Sequence, residues 1–320
     1  MYEIRIAFHF FPNFPQTLKQ NPVLRHIQGM ETQNNTRPLR RFNPLNDFLF
    51  YKVMGEKGNE PQLVGFLNAV LEPSGRKPIE TLEIVEKKPF IGELLGGKSC
   101  TLDVRAVLEG GTRVNIEVQL QDKRNMDRRS LYYWSRLYAD ALKAGQDYRE
   151  LPDTIAINIV DYDFLPKAGV HSRFRLREDT DPSLVLIGAM EIHFINMIKW
   201  REQAGKDLAS NPLHRWLVWL DPQSPPELVE EVKGMDGAIA FANEKQEWVM
   251  LDAEAREVYE MLQKAERDRR SEIDCATEKG EERKALKIAR NALAEGASTE
   301  FVQRITGLDM ETVAGLRNGV

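Results

Sequence analysis

Lys98–Leu120 reads KSCTLDVRAVLEGGTRVNIEVQL, and its alternation decides the fold. Along Arg113–Leu120, Val114, Ile116, Val118 and Leu120 fall on one side and Arg113, Asn115, Glu117 and Gln119 on the other. This is the period-two signature of a strand with one buried face. Cys100, Leu102, Val104 and Ala106 oppose Thr101, Asp103 and Arg105 in the same way. Between the two runs, Glu109-Gly110-Gly111 supplies a three-residue hairpin loop in which a glycine takes positive φ. That loop pairs Leu108 with Thr112. Counting outward sets Val107 against Arg113, Arg105 against Asn115, and Asp103 against Glu117. Directly opposed residues share a face, with Cβ atoms about 4.5–5.5 Å apart. Two carboxylates so close repel unless a positive charge lies between them, and a divalent cation is the usual solution. A sheet face can also be polar simply because water covers it. Three features point to chemistry instead: the facing acids, Gln119 on the same face, and the basic, helical stretch 121–142.

The flanking sequence builds an α/β frame around this hairpin. Asn43 or Asn46 caps a helix starting near Pro44 and running through Asp47–Met54, and Leu63, Phe66, Leu67, Val70 and Leu71 recur at helical spacing over Gln62–Leu71. Leu82–Lys87 reads as a first strand, and Thr154–Val160, TIAINIV, as a short buried one. Leu184–Met190 and Trp216–Leu220 are candidate further strands. The helix over Asp127–Leu142 places Leu131, Trp134, Tyr138 and Ala141 or Leu142 on one stripe. Its Tyr132, Tyr133 and Trp134 have the spacing of core or core-rim residues; the other use of such aromatics is stacking on unpaired bases. The sum is a mixed central sheet flanked by helices.

Composition sets the bounds. The chain has 320 residues, 42% hydrophobic and 8% aromatic, enough for one large domain or a medium domain with a helical appendage. Its two cysteines, Cys100 and Cys275, lie far apart, which argues against a disulfide framework or a cysteine-based zinc site and fits a reducing cytoplasm. No apolar run reaches the roughly 18 residues of a membrane span. Residues 225–282 carry 17 acidic and 8 basic residues, so the remainder of this −5 chain is net positive. Clusters at Arg37, Arg40 and Arg41, at Lys123, Arg124, Arg128 and Arg129, and at Arg173, Arg175 and Arg177 are candidates for phosphate contacts or ordinary solvated faces.

Around the facing acids the text resembles a known family. NPLNDFLFYKVMGEKGNEPQLVGFLNAVL at 43–71, LDVRAVLEGGTRVNIEVQLQ at 102–121 and RRSLYYWSRLYADALKAGQDYRELPDTIAINIVDYDF at 128–164 are similar to the PD-(D/E)xK nuclease core. More narrowly, they are similar to its recombination-promoting nuclease and transposase group. The resemblance spans roughly 43 to 220. It implies a restriction-endonuclease-like fold and metal-dependent hydrolysis of DNA phosphodiesters, in recombination or mobile elements. Asp103 and Glu117 would hold Mg²⁺, or Mn²⁺ or Ca²⁺, with the Val118 carbonyl completing the coordination and Gln119 as the third catalytic position. The superfamily pattern has lysine where this chain has Gln119; glutamine also occurs in members of the narrower group. A neutral amide orients by hydrogen bonds but brings no charge, leaving Lys98 or Arg105 as local cations. Lys123, Arg124, Arg128 and Arg129 would contact DNA phosphates. Asp47 and Lys52 match the acid and lysine of the family's first helix, where Asp47 either supports the metal site or complements the helix dipole. A nuclease-fold protein that binds nucleic acid or a protein partner without cleaving is the alternative. A full transposase would need a third acid, and none stands at an evident spacing.

Three regions follow: 1–36 as a poorly structured extension, 37–225 as the nuclease-like domain, and 226–320 as a charged helical region. Met1–Phe14 lacks a secretory cleavage pattern, and Met30 opens a more natural start, so residues 1–29 read as an upstream addition. Ala253–Leu293 is one or two amphipathic helices, with Gly280 as a possible break, and offers a surface for homo-oligomerisation. Ser298 caps a final helix, Gly307 ends it and a second helix follows, the outline of a helix-turn-helix. Its few basic residues, chiefly Arg304 and Arg317, favour packing or interaction over DNA contact. The overall expectation is a cytoplasmic, DNA-acting protein with no membrane segment.

Overall fold

Asn46 starts the first helix by accepting the Leu49 N–H at 3.1 Å on its side-chain oxygen, the ordinary way a helix satisfies its leading donors. The computed structural model describes residues 41–85 and 104–318, and from Asn43 onward they form one unit. Its elements are α1 (Asp47–Met54), α2 (Glu60–Leu71), β1 (Leu82–Ile84), β2 (Val104–Leu108), β3 (Arg113–Gln119), α3 (Met126–Ala139), β4 (Thr154–Val160), β5 (His171–Phe174), β6 (Met190–Asn196) and α4 (Met197–Glu202). They continue with α5 (Pro212–Leu220), α6 (Pro226–Met235), α7 (Gly237–Leu251), α8 (Ala253–Ala294), α9 (Thr299–Thr306) and α10 (Met310–Asn318). The extension expected at 1–36 lies outside the described residues.

The described strands form one mixed sheet in the order β1-β2-β3-β4-β6-β5. β3, β4 and β6 run parallel, and β1, β2 and β5 pair antiparallel with their neighbours. The hairpin register is the one counted from the sequence: Val107 faces Arg113 and Arg105 faces Asn115. Leu108 N–H reaches the Thr112 carbonyl at 2.8 Å. Both Gly110 and Gly111 take positive φ, 87° and 85°, a conformation that costs glycine little.

The two sheet faces separate cleanly. On one, Ala156, Val160, Met190, Ile192 and Phe194 pack with Met126 of α3, joined by Trp134, Tyr162 and Phe164. Register places Asn115, Glu117 and Gln119 on this same face, beside Ala156, Asn158 and Val160. The opposite face carries the buried Val114, Ile116, Val118, Ile155, Ile157, Ile159 and Ile195. α7 packs against α1 and α2, so the helical core continues past residue 225. Gly65 of α2 is what allows α7 so close, because a Cβ there would sit on the Cβ of Ala238.

Four expectations need correcting. Trp216–Leu220 is the end of helix α5, not a strand. Asn211 accepts the His214 N–H and Pro212 opens the helix, and Trp216 through Leu220 are all buried, so an apolar run of this length had no period to read. The strand expected at Leu184–Met190 lies one segment later, at Met190–Asn196. Leu184, Leu186 and Ile187 are exposed, 58%, 79% and 46%, whereas Glu191 and His193 are buried in a polar network that hides the strand's apolar pattern. Leu131 is half exposed, and the inward stripe of α3 is Met126, Ser130 and Trp134. Gly280 does not interrupt α8, which runs 42 residues. β5 went unseen in the sequence.

The polar network lies on the apolar face, away from Glu117. Glu191 and His193, both 0% exposed, are linked by His193 Nε2 to Glu191 Oε2 at 3.1 Å, and His193 Nδ1 meets His171 Nε2 at 2.9 Å. A carboxylate only accepts, so His193 donates through Nε2 and takes the His171 proton at Nδ1. Arg175 pairs with Glu191, and Arg76 bridges Glu191 at 3.4 Å and Asp153 at 3.2 Å. Burial, opposed by the hydrogen bond from His193 and by Arg175 and Arg76, leaves the Glu191 carboxyl at about 2. Burial, then the neighbouring His193 and Arg173, push His171 down to about 4.

Candidate active site

The candidate site lies at the carboxyl ends of the parallel strands, where open α/β sheets place their ligands. Glu117 is 1% exposed, and the alternation of β3 turns it toward α3. There Arg129, one turn into the helix, pairs with it, the guanidinium Nε donating to Oε1 at 2.7 Å and Nη2 to the same oxygen. Arg129 also lies over the Tyr133 ring, 5.2 Å from its centroid. A carboxylate this deep is costly unless paired, and the Arg129 guanidinium supplies a pairing charge.

Gln119 is half-buried two residues on, and its amide nitrogen donates to the Gln121 carbonyl at 3.1 Å. Gln121 in turn donates from its side chain to Glu266 of α8 at 2.7 Å. The loop then turns through Asp122, which accepts the Arg124 N–H at 2.7 Å, with Arg124 in the left-handed region at φ 54°. Lys123 has its ammonium held below the ordinary lysine value by partial burial and by the like charges of Arg129 and Arg269, against Asp47 and Glu266. Those neighbours bring α1, the β3–α3 loop, α3 and α8 together around one site. Tyr162, just past β4, completes it. Its hydroxyl is buried with no hydrogen-bond partner among the described residues, and burial and then the Asp122 and Glu117 charges raise its pKa, against Arg129.

The sequence-derived site residues distribute as follows. Glu117, Val118 and Gln119 stand together on β3. Lys123, Arg124 and Arg128 are exposed beside them. Arg129 is engaged by Glu117. Asp47 reaches the site through Lys123, whereas Lys52 pairs with Glu56 at 2.6 Å and packs on Phe48. Arg105 donates to Asn115 on the Glu117 face at 3.1 Å. Asp103 and Lys98 lie outside the described residues. Of the aromatics, Trp134 is core, its indole N–H donating to the Thr154 carbonyl at 2.8 Å, while Tyr132 is 56% exposed. Arg37 and Arg40 lie outside the described residues, Arg175 is held by Glu191, and Arg177 donates to the Pro182 carbonyl.

Glu266, Arg269 and Tyr162 were missed. Nothing in a long charged helix marks which turn meets the loop after β3, though the Asn43 and Tyr259 contact two turns earlier fixes it: Asn43 N–H donates to the Tyr259 hydroxyl at 2.8 Å. Chemically, the Glu117 carboxylate, the Val118 carbonyl and the Gln119 amide are hard oxygen donors of the kind Mg²⁺ prefers. Among the described residues no group of three or more carboxylate, histidine or cysteine side chains is arranged to hold a metal ion.

A mixed sheet with a buried glutamate and a polar partner two residues on, flanked by helices, defines the class: a restriction-endonuclease-like α/β protein. The comparison with protein families narrows it. Residues 44–276 match the PD-(D/E)XK nuclease family transposase, and residues 282–318 match the C-terminal helix-turn-helix domain of the Rpn/YhgA-like nuclease family. The chain belongs to the PD-(D/E)XK nuclease family. Neither the comparison with curated proteins nor that with solved structures returns a match. The second match spans the end of α8, α9 and α10, whose own core is Ala289, Val302 and Val313. Ser298 caps α9 and Gly307, at φ 71°, ends it. No helix among the described residues is long and apolar enough to cross a membrane.

Proposed function

We propose that this chain is a divalent-cation-dependent endonuclease that hydrolyses DNA phosphodiester bonds in recombination or in mobile elements. The observation that carries the reading is Glu117. It is a fully buried carboxylate at the carboxyl end of a central parallel strand, compensated by Arg129, beside Gln119, with exposed cations around it. Asp103, Glu117 and the Val118 carbonyl would hold Mg²⁺, Mn²⁺ or Ca²⁺. A cation held there supplies charge neutralisation at the scissile phosphate and lowers the pKa of the attacking water. Gln119 orients that water or the phosphate through its amide. Lys123, Arg124 and Arg128 hold the DNA backbone without reading its sequence, and Arg129 has the length to turn from Glu117 to a phosphate. The C-terminal helix-turn-helix adds DNA affinity.

The test is nicking or linearisation of supercoiled plasmid by the purified protein with Mg²⁺ or Mn²⁺, with chelator as control. Asp103→Ala and Glu117→Ala should each abolish cleavage while the thermal melt stays cooperative. Cleavage retained by both variants removes the assignment. A second reading, a nuclease-fold protein that binds DNA or a partner without cutting, is favoured by Gln119 in the lysine position. Plasmid that stays intact with every cation yet shifts on a gel would establish it.

A further inference from the structure

Resting on the nuclease reading, we propose that Glu266, on the long C-terminal helix α8, is a positioning residue for Gln119. The argument starts from what replacing a lysine by a glutamine requires. An ammonium presents the same three donors whichever way it rotates. A primary amide has an acceptor end and a donor end, and serves the reacting atoms only when the right end faces them.

Here the amide is committed by a relay. Gln119 Nε2 donates to the Gln121 carbonyl at 3.1 Å, so the nitrogen is tied to the loop and Oε1 is the end left to accept from a water. Gln121 is itself tied down, its Nε2 donating to Glu266 Oε1 at 2.7 Å. A carboxylate acceptor makes this the stronger kind of hydrogen bond. Glu266 is held in turn because α8 is pinned two turns earlier, where the buried Tyr259 hydroxyl accepts the Asn43 N–H at 2.8 Å. Seven residues of helix cover about 10.5 Å, so the anchor lies close enough to fix the register of Glu266 against the loop. The same turn of α8 faces Lys123, whose electrostatic neighbours include Glu266 and Arg269. The helix therefore sets the orientation of an amide that a lysine in its place would not need.

The test uses the full-length protein, a DNA duplex substrate and saturating Mn²⁺, with steady-state kinetics. Glu266→Ala should lower kcat about tenfold, with KM for DNA within about twofold of wild type. Glu266→Gln, which keeps an acceptor oxygen, should restore most of kcat. In a Gln119→Lys background, Glu266→Ala should have little further effect. Kcat of Glu266→Ala within about twofold of wild type, or no difference between the Ala and Gln variants, overturns the proposal. An equal loss in the Gln119→Lys background also overturns it. If Gln119→Lys proves inactive, the comparison of Glu266→Ala with Glu266→Gln decides alone. A wild type that does not cleave sinks the nuclease reading and this inference with it, whereas an active wild type indifferent to Glu266→Ala sinks only the positioning role.

Discussion

Removing the Arg129 side chain tests the electrostatic logic of the site without any assay of cleavage. Glu117 is 1% exposed and Arg129 13%, and two guanidinium N–H groups converge on one carboxylate oxygen. Truncating one partner of such a pair leaves a buried charge uncompensated, which costs about 3–5 kcal/mol. Arg129 is not the only contact of Glu117, so Arg129→Met should fall at the lower end, about 3 kcal/mol. For a unit of this size that corresponds to a fall of about 6–12 °C in Tm. Urea melts at pH 7 in chelator measure it. The double variant Glu117→Gln with Arg129→Met should recover most of the loss, because it removes both charges and not one. Added Mg²⁺ or Mn²⁺ should raise the Tm of Arg129→Met more than that of wild type, since a ligand that binds only the folded state stabilises it and the guanidinium no longer competes. A loss below about 1 kcal/mol would place the pair among weak surface bridges and refute the reasoning. So would a double variant no more stable than Arg129→Met.

Two further outcomes follow from other parts of the fold. His171, pushed down to about 4, and Glu191, at about 2, both make the protein acid-sensitive. The unfolded histidine takes up its proton near its ordinary 6.5, so its contribution is complete above that pH and is lost as pH falls toward 4. The Glu191 contribution is complete above its ordinary 4.5 and is lost on the way to 2. Urea melts between pH 7 and pH 4 should show stability falling by up to about 1.4 kcal/mol per pH unit from His171; His171→Gln should flatten that slope, and an unchanged slope would count against the buried relay. Gly65→Ala should destabilise by about 1–3 kcal/mol of overpacking less the roughly 1 kcal/mol that alanine gains in a helix, a net of about 0–2 kcal/mol; a Tm above wild type would mean α2 and α7 are not in contact there.

The hairpin was legible because its physics is local. Strict alternation and a glycine loop fix a register without reference to any other element, and the observed pairing of Arg105 with Asn115 is the one counted from Gly110 and Gly111. TIAINIV was legible for the opposite reason: β4 is buried on both faces, so an apolar run bounded by polar turns suffices. The sequence lost its hold where polar side chains are buried for each other's sake. Glu191 and His193 look like the polar positions of a loop until His171, Arg76 and Arg175 are seen around them, and those partners come from two segments distant in sequence. The site divides along the same line. Glu117 and Gln119 were found on a strand whose period names its face. Arg129 was found as a candidate phosphate contact but its pairing with Glu117 was not, since sequence cannot tell a guanidinium facing solvent from one facing a carboxylate twelve residues back. Glu266 was beyond reach, because a 42-residue helix rich in charge on every side gives no sign of which turn meets the loop after β3. That one turn is also where we propose the Gln119 amide is oriented. An amide needs an orientation that an ammonium does not, and the Gln121–Glu266 hydrogen bond ties the loop that holds the Gln119 amide to an element outside the hairpin.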